Sequence, residues 1–244
     1  VTMDILSEIK EKREIQLQKE KKLYKKPSFK DALKQEGLKI IGEIKRASPS
    51  KGKIADNSFN LLNQAKHYAE NGVAAFSILT EEEYFKGDNE FIKIVSENFP
   101  HIPILRKDFI YTSFQVAHAK FLGASAILLI VRMLNDEELH TLHRLAHELE
   151  LDVLVEIHDK SELERALKIP DLQILGINNR NLNTFNTDIK TTGELIKFIP
   201  EEILKNIILV SESGFLSKDD LKYAENLNVD ALLIGEALMK GLIF

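Results

Sequence analysis

Residues 40–45 read IIGEIK, a short run rich in β-branched residues that ends in two charges. Runs of this length and composition are typical of strands that are buried on both faces. Seven further runs of the same kind follow along the chain. The eight runs are Ile40–Lys45, Ala75–Thr80, Pro103–Lys107, Ala126–Val131, Asp152–Ile157, Gln173–Asn178, Ile207–Ser211 and Asp230–Ile234.

Helix-like stretches separate these runs. An alternation of strands and helices predicts a parallel sheet with helices over its outer face. Eight such units favour a closed (β/α)8 TIM barrel over an open doubly wound sheet, and the first run lacks a following G-x-G-x-x-G. We therefore predict an α/β fold and a single domain with the barrel at residues 39–244. The clearest helical stretches are Leu61–Asn71, Ser113–Leu122, Asp136–Leu149, Ser161–Leu167 and Lys218–Leu227.

The composition excludes several classes of protein. The 244 residues include no cysteine, which excludes disulfides, thiolate metal sites and thiol nucleophiles. The best apolar run, Ala124–Val131, is too short to span a membrane, and charges at Asp4, Glu8 and Lys10 argue against a signal peptide. A net charge of −5 gives no reason to expect nucleic-acid binding.

Residues 1–38 form a distinct, more basic segment. Apolar residues recur between Asp4 and Tyr24 among lysines and glutamates, which predicts an amphipathic helix that ends before Pro27. We expect this helical extension to dock on the barrel and to leave its polar face in solvent. A basic arm that binds acidic partners or a membrane is the alternative.

Polar residues occupy the carboxyl ends of five runs, where enzymes on this fold carry their chemistry. Strand side chains alternate, so Glu43 and Lys45 share one face of the first run. Because a buried unpaired charge is costly, charges that converge on the mouth of the barrel must pair or serve a ligand. Solvated strand ends are the alternative for any single residue. The polar ends are Glu43-Ile44-Lys45, Arg106-Lys107-Asp108, Glu156, Asn178-Asn179-Arg180 and Ser211-Glu212-Ser213.

Three loops suggest a site for an anion. Residues 48–52, SPSKG, follow the first run and offer hydroxyl and backbone N–H groups. Ser213-Gly214 and Gly235-Glu236 follow the last two runs, the usual positions of a phosphate on this fold. We expect the N–H of Glu236 to face the phosphate and its carboxylate to turn away, because the carboxylate would repel the anion. An ordinary turn is the alternative for each glycine.

Histidines suggest two further possibilities. His140, His143 and His147 share one face of a predicted helix at a spacing that could bind a metal. They belong to the outer layer of the barrel, so we predict a solvated helix face and no metal site. We expect His158 to point to the side of the strand opposite Glu156 and to be structural.

Six motifs occur at the strand ends, one per strand end. They are residues 44–52 (IKRASPSKG), 79–81 (LTE), 105–109 (LRKDF), 154–158 (LVEIH), 176–182 (GINNRNL) and 211–214 (SESG). In this order they resemble the motifs of the indole-3-glycerol-phosphate synthase family, over roughly residues 4–240. Together they are highly specific, and the N-terminal helical extension is also similar to the one in that family.

The resemblance implies a step of tryptophan biosynthesis. The substrate would be 1-(2-carboxyphenylamino)-1-deoxyribulose 5-phosphate, which closes its ring and loses CO₂ and then water to give indole-3-glycerol phosphate. The resemblance also implies a carbon–carbon lyase without cofactor or metal. Its one partner would be this anthranilate-derived sugar phosphate. From the composition we expect a cytoplasmic protein without a nucleic-acid or membrane partner, and we expect a monomer, although the sequence leaves the oligomeric state open.

The same resemblance implies roles for individual residues. Lys107 would be the general acid that protonates the ketone oxygen, and Glu156 would be its acid/base partner in the dehydration. Lys45 would bind the substrate's carboxylate and share the acid role, with Glu43 fixing its ammonium; which lysine dominates stays open. Asn178, Arg180, Glu212 and Ser213 would orient the substrate, Ser48, Gly214, Gly235 and Glu236 would form the phosphate site, and Phe85, Phe109 and Leu182 would be apolar walls.

The chain departs from the family's pattern at two places. Asp88 stands where the family commonly has serine, which removes a hydroxyl from that loop. After Leu238-Met239 the chain stops at Phe244, where relatives usually continue, so we expect a very short last helix or a truncated chain.

Two other functions compete with this interpretation. An enzyme like phosphoribosylanthranilate isomerase would share the phosphate site, but its usual catalytic cysteine is absent from the sequence. A non-catalytic phosphate-binding barrel would bind ligand without turnover, and it gives no reason for Lys45, Lys107 and Glu156 to occur together.

Overall fold

Eight parallel strands form a closed barrel in the structure, a computed structural model that describes residues 4–48, 52–53 and 59–243. The strands are β1 Lys39–Ile44, β2 Ala75–Leu79, β3 Ile104–Lys107, β4 Ala126–Ile130, β5 Asp152–Ile157, β6 Ile174–Asn178, β7 Ile208–Glu212 and β8 Ala231–Ile234. Each strand pairs with its neighbours in sequence, and β1 pairs with both β2 and β8. The predicted (β/α)8 barrel is therefore confirmed, and every predicted run coincides with its strand to within one residue at each end.

Helices cover the outside of the barrel and precede its first strand. They are α1 Ile5–Tyr24, α2 Phe29–Leu33, α3 Leu61–Glu70, α4 Glu90–Asn98, α5 Ser113–Leu122, α6 Asp136–Glu148, α7 Lys160–Ala166, α8 Lys190–Ile196, α9 Glu201–Leu204, α10 Lys218–Asn226 and α11 Glu236–Met239. All five predicted helical stretches are confirmed. Polar caps set several of the starts; the side chain of Thr112, for example, accepts a hydrogen bond from the N–H of Gln115 at the start of α5.

Two hydrophobic layers hold the barrel together. The larger lies between the strands and the outer helices, and the smaller fills the interior of the barrel. The short helix α2 closes the lower end of the interior with two fully buried side chains, Phe29 and Leu33. Asp152, the first residue of β5, fixes α2 there by accepting hydrogen bonds from Ser28 Oγ at 3.2 Å and from the N–H of Lys30 at 2.9 Å. The opposite end of the barrel is left for the polar strand ends.

The long helix α1 does not dock as expected. Ile5, Leu6 and Ile15 are 62%, 68% and 60% exposed, so the prediction that this helix packs on the barrel is wrong and α2 makes that contact instead. The apolar residues of α1 spread around the helix rather than forming one stripe, which gives the barrel no continuous face to bury. Within the part of the chain that the structure describes, no helix has the length and apolar character needed to cross a membrane.

Candidate active site

Two adjoining cavities, of about 330 and 130 Å³, open at the carboxyl end of the barrel. Both are lined by Glu43, Lys45, Lys107, Arg180 and Ser213. The larger cavity also contacts Glu212, Gly214, Gly235 and Glu236, and the smaller also contacts Glu156, Asn178, Phe85, Phe109 and Leu182. Except for Ser48, the structure therefore brings every site residue predicted from the sequence to one place.

Ser48 belongs to the loop after β1. Its backbone forms a two-residue strand with Ala47, which pairs with the strand Gly52–Lys53. The side chain of Ser48 and the residues 49–51 lie outside the described residues, and with them lies the hydroxyl-rich part of the expected anion site.

Glu43 and Lys45 form an ion pair at the end of β1, in agreement with the predicted shared face. Only 8% of the Glu43 side chain and 13% of the Lys45 side chain are exposed. Burial raises the pKa of Glu43, but the charges of Lys45, Lys107 and Arg180 lower it further, so that the net shift is downward. Glu43 is therefore a carboxylate at neutral pH, and it fixes the ammonium of Lys45 in the mouth.

Lys107 ends β3 between two carboxyl groups. Its Nζ lies 3.6 Å from Glu156 Oε2 and 3.9 Å from Glu212 Oε2. Burial lowers the pKa of Lys107, but Glu156, Glu212 and Glu43 raise it by more, and the net shift is upward. The carboxylates thus outweigh the effect of burial, and Lys107 carries its proton at neutral pH.

Glu156 and Glu212 share the ammonium of Lys107 and have opposite pKa shifts. Burial raises the pKa of Glu156, but Lys107 and His158 lower it further, so this group is ionised. For Glu212, burial and the charge of Glu156 raise the pKa well above its usual value. Among the described residues, no donor lies within hydrogen-bond distance of either oxygen of Glu212, and the charges of Lys107 and His158 lower its pKa by less than burial and Glu156 raise it. Of the two carboxyl groups, Glu212 therefore holds a proton more strongly than Glu156.

Gly176 in β6 makes the room that Glu212 occupies. A Cβ atom built at Gly176 would lie 2.4 Å from Glu212 Oε1 and 3.0 Å from Leu154 Cδ1. Any side chain at this position would push Glu212 away from its place beside Lys107. The sequence motif GINN contained this residue, but only the packing shows that glycine here leaves the space that Glu212 fills.

The loop after β6 is tied to the loop after β7 through Asn179. Its side-chain amide donates to Ser211 Oγ at 3.1 Å and to the carbonyl oxygen of Ser213 at 3.0 Å. Ser213 has a φ of 69°, which is uncommon for a residue with a side chain. Asn178 faces the mouth, and its Oδ1 accepts a hydrogen bond from the N–H of Arg180 at 3.0 Å. Asn179 therefore supports the site from behind, while Asn178 and Arg180 line it.

The expected phosphate end lies between β7 and β8. A Cβ atom at Gly235 would lie 3.0 Å from Glu43 Oε1 and 3.3 Å from Lys45 Nζ, so that only glycine leaves this part of the mouth open. Glu236 pairs with Lys240 at 2.7 Å, one turn further along α11. Its carboxylate is thus held by Lys240, the residue that follows α11, and the expected contact of its N–H with a phosphate stays a prediction.

Aromatic side chains form one wall of the smaller cavity. The rings of Phe85 and Phe109 lie with their centroids 6.0 Å apart, and Leu182 lines the same space. Three further apolar residues of this wall were not predicted from the sequence: Leu79, Leu128 and Ile130, at the ends of β2 and β4. The sequence could have predicted them, because they are the last residues of apolar strands whose side chains point into the barrel.

The loop that carries Phe85 is organised by two carboxylates. Glu81 accepts hydrogen bonds from the N–H groups of Glu83, Tyr84 and Phe85 at 2.7 to 3.1 Å. Asp88 accepts a hydrogen bond from the N–H of Glu90 at 2.9 Å at the start of α4. The carboxylate at residue 88 therefore has a local structural role.

His158 lies on the same side as Glu156, and the expected opposite orientation is wrong. Its Nε2 lies 3.2 Å from Glu156 Oε1, and its Nδ1 lies 3.0 Å from Glu162 Oε2. Alternation along an extended chain places residues i and i+2 on one side, so the sequence spacing already favoured this contact.

The prediction that the three histidines of α6 form a solvated helix face is wrong. His143 is buried, and its ring centroid lies 4.3 Å from that of His147. Residue 143 is turned toward the strands, where the buried residues of α6 pack. In residues 4–48, 52–53 and 59–243 there is no group of three His, Asp or Glu side chains that could hold a metal ion.

Arg106 does not converge on the mouth, although it precedes Lys107. Its side chain is buried on the outside of the barrel, where Nη2 donates to Asp108 at 2.8 Å and to Asn89 at 3.0 Å. Alternation along β3 places neighbouring residues on opposite faces. Of the cations at the end of this strand, only Lys107 serves the site.

Comparisons with known proteins agree with this geometry. The family profile described as "Indole-3-glycerol phosphate synthase" matches residues 2–242. A protein of that name from Thermoanaerobacter pseudethanolicus is 50% identical, over 87% of this chain and 79% of its own length. Proteins of the same name from Acetivibrio thermocellus and Clostridium kluyveri are 44% and 47% identical, over 97% and 89% of this chain and 95% and 80% of their own lengths.

A solved structure supports the fold alone. KGPDC from Streptococcus mutans superposes with a TM-score of 0.59 and covers 84% of this chain and 97% of its own. The two sequences are only 12% identical, so the similarity concerns the barrel and not its chemistry.

Proposed function

The chain belongs to the indole-3-glycerol phosphate synthase family, and from this membership we propose how the mouth of its barrel performs the reaction. The enzyme is a carboxy-lyase of tryptophan biosynthesis. It converts 1-(2-carboxyphenylamino)-1-deoxyribulose 5-phosphate to indole-3-glycerol phosphate, with release of CO₂ and water. The observation that carries the mechanism is the position of Lys107, whose ammonium lies between Glu156 and Glu212 where the two cavities meet.

Lys107 acts as the general acid of ring closure. As the aromatic carbon attacks the ketone carbon, negative charge develops on the ketone oxygen and must be neutralised. Lys107 holds its proton tightly, but an alkoxide resembles hydroxide in basicity, and the pKa of water is about 15.7. The raised pKa therefore keeps the acid loaded and still allows transfer to the alkoxide. Loss of CO₂ from the attacking aromatic carbon then restores the aromatic ring.

Glu156 acts as the base of the final dehydration. It is ionised in the free enzyme and can accept the proton whose loss creates the last double bond of the indole. The departing hydroxyl takes a proton from Glu212, whose raised pKa favours its acid form, or from Lys107 after solvent has restored the proton that it gave in ring closure. The acid and base roles thus follow from neighbouring groups whose pKa values are shifted apart.

The remaining residues bind the two ends of the substrate. Lys45, fixed by Glu43, attracts the anthranilate carboxylate, and Phe85, Phe109 and Leu182 enclose its ring. Backbone N–H groups of the loops after β7 and β8 receive the phosphate. The residues proposed for substrate orientation are Asn178, Arg180, Glu212 and Ser213, and those for the phosphate are Ser48, Gly214, Gly235 and Glu236.

We further propose that one copy of the chain is sufficient in the cytoplasm, with no cofactor or nucleic acid, because every group named above comes from one chain. The extension and the barrel are proposed to form one domain, joined through Phe29 and Leu33. Light scattering of the purified protein tests the monomer, and an active dimer that loses turnover on dilution would contradict it.

The assay for this function is a rise in indole fluorescence. The chain contains no tryptophan, so the product is detected over a low background. Substrate added to the purified protein should give a continuous rise that needs no added metal or cofactor. Consumption of phosphoribosylanthranilate instead would support the isomerase alternative, and binding without turnover would support the non-catalytic barrel.

A further inference from the structure

His158 is a buried histidine that the mechanism above does not use. It follows the last residue of β5, and only 3% of its side chain is exposed. Both ring nitrogens face carboxylates, with Nε2 at 3.2 Å from Glu156 Oε1 and Nδ1 at 3.0 Å from Glu162 Oε2. Two carboxylates this close to the ring, one beside each nitrogen, favour the charged imidazolium through Coulomb attraction.

Glu162 is firmly held on the far side of the ring. Its Oε1 accepts a hydrogen bond from Arg132 Nε at 2.5 Å, and its Oε2 accepts a second from the N–H of His158 at 2.8 Å. Arg132 is fixed in turn by Asp159 at 2.8 Å. The imidazole ring is therefore anchored from behind by a chain of ion pairs that reaches the protein surface.

The charged groups around His158 determine its protonation. Burial lowers its pKa, but contacts with Glu156 and Glu162 raise it by more, to about 9. The ring thus remains an imidazolium through neutral pH. Several titratable or charged groups face the ring or its two carboxylates. They are Glu156 of β5, Asp159 just before α7, Glu162 within α7, Arg132 of the turn after β4, Glu212 of β7 and Lys107 of β3.

The two oxygens of Glu156 face different partners. Oε1 lies against His158, whereas Oε2 lies 3.6 Å from Lys107 at the edge of the cavity. We propose that His158 is a positioning residue, which as an imidazolium holds Oε1 and directs Oε2 of Glu156 toward the reacting atoms. The proposal rests on the acid/base role assigned to Glu156. His158 itself does not need to touch the substrate.

The substitution H158Q tests the proposal, because glutamine retains a hydrogen-bonding side chain but carries no charge. We expect kcat to fall by at least about tenfold while KM changes by less than about threefold. In a plot of kcat against pH, the fall in kcat on the acidic side, which we call the acidic limb, should also move to higher pH. Glu156 loses a cation that favours its ionised form, so its pKa should rise. A purely structural role would lower the amount of folded enzyme without moving this limb.

The substitution E162Q provides a second test at a residue that lines neither cavity of the site. It weakens the support for the imidazolium, so we expect a smaller shift of the acidic limb in the same direction. H143Q is the matched control, since it makes the same change at a buried histidine of the outer layer. Its kcat and its pH profile should match those of the wild type.

The outcomes separate this proposal from the proposed mechanism. An acidic limb that is unchanged in both H158Q and E162Q overturns the positioning role, and E162Q alone decides if H158Q does not fold. E156Q is measured beside them. An inactive E156Q with an unaffected H158Q removes only the inference about His158, whereas a fully active E156Q removes the role of Glu156 and this inference with it.

Discussion

Arg106 and Lys107 are neighbours in β3, yet they serve two opposite regions of the molecule. Arg106 points outward and donates four hydrogen bonds, to Thr80, Asn89, Asp108 and the backbone of Gln115, at 2.8 to 3.3 Å. Lys107 points inward, 3.6 and 3.9 Å from its two carboxyl partners. We refer to the first group as the outer clamp and to the second as the mouth.

The carboxylates of the two regions differ in the same way. Asp108 in the outer clamp accepts hydrogen bonds from Thr80, from Arg106 and from the N–H of Phe109, each at 2.8 Å. In the mouth, Glu212 finds no such donor among the described residues. Saturated charges hold loops in place, whereas charges with unused hydrogen-bonding capacity are available to a substrate. The comparison teaches that burial alone does not distinguish a structural from a catalytic ion.

The largest effect is expected from K107A, in the mouth. Loss of the general acid should lower kcat by at least about 10² to 10⁴-fold while substrate still binds. Single-turnover fluorescence and a binding titration measure the two quantities separately. K222A removes an exposed lysine of α10 and should leave both unchanged. Retained turnover in K107A would show that the mouth does not work through this residue.

The outer clamp should respond to R106A with a loss of stability. Removal of the guanidinium leaves Asp108 without its cation, and we expect the free energy of unfolding to fall by about 3 to 5 kcal/mol. Urea denaturation measures this change. R144A is the matched control, because Arg144 forms an exposed i,i+4 pair with Glu148 and should contribute less than about 1 kcal/mol. Equal losses in the two variants would contradict the comparison.

The two buried histidines extend the contrast to pH. Burial, His147 and His140 lower the pKa of His143 to about 4. Between pH ~6.5 and pH 4 this histidine is therefore protonated in the unfolded chain but neutral in the folded chain. Stability from this group is complete above pH ~6.5 and should fall by up to about 3 kcal/mol as the pH drops through 4. Denaturation of wild type and H143Q across this range tests it: the variant should lose less stability on acidification. A parallel loss in both would contradict the assignment.

The pKa of His158 is shifted in the opposite direction to that of His143, so its effect on stability depends on pH in the opposite way. Its pKa is raised to about 9, so its contribution to stability is present below pH ~6.5 and is lost as the pH rises through 9. The outer layer therefore weakens in acid and the surroundings of the mouth weaken in alkali, which the same series of denaturation curves would show.

The smallest effect is expected from G176A, which changes the mouth without removing a charge. The added Cβ displaces Glu212, whose flexible end can move, so we expect turnover to fall by about tenfold with less than about 1 kcal/mol change in stability. If the effect passes through Glu212, then adding G176A to E212Q should cause no further loss of turnover. Additive losses would show that Gly176 acts in another way.

Much of the fold and of the site was predictable from the sequence, because both depend on local patterns. Apolar runs such as Ile40–Lys45 predict strands from their length and composition, and their repetition predicts the barrel. Lys45, Lys107 and Glu156 could be placed in the mouth because inward side chains at strand ends converge there. These inferences need no knowledge of distances between elements.

The errors concern contacts between elements. The exposure of α1 depends on whether the barrel offers it a matching face, which helical periodicity alone does not show. The burial of His143 depends on the rotation of α6 against the strands, and the need for glycine at residue 176 depends on the side chain of Glu212 from the adjacent strand. The roles assigned to the site residues remain predictions, which the variants above test.

The pairing of β1 with β8 has a consequence for the time at which the enzyme becomes active during its synthesis. Glu43 and Lys45 are synthesised well before Gly235, which borders them in the folded barrel. A ribosome extends a chain at about 5 to 20 residues per second from its amino end. The nascent protein can therefore hold Glu43 and Lys45 for many seconds before β8 pairs with β1 and closes the barrel. A circular permutant that translates β8 directly before β1 would make both strands together.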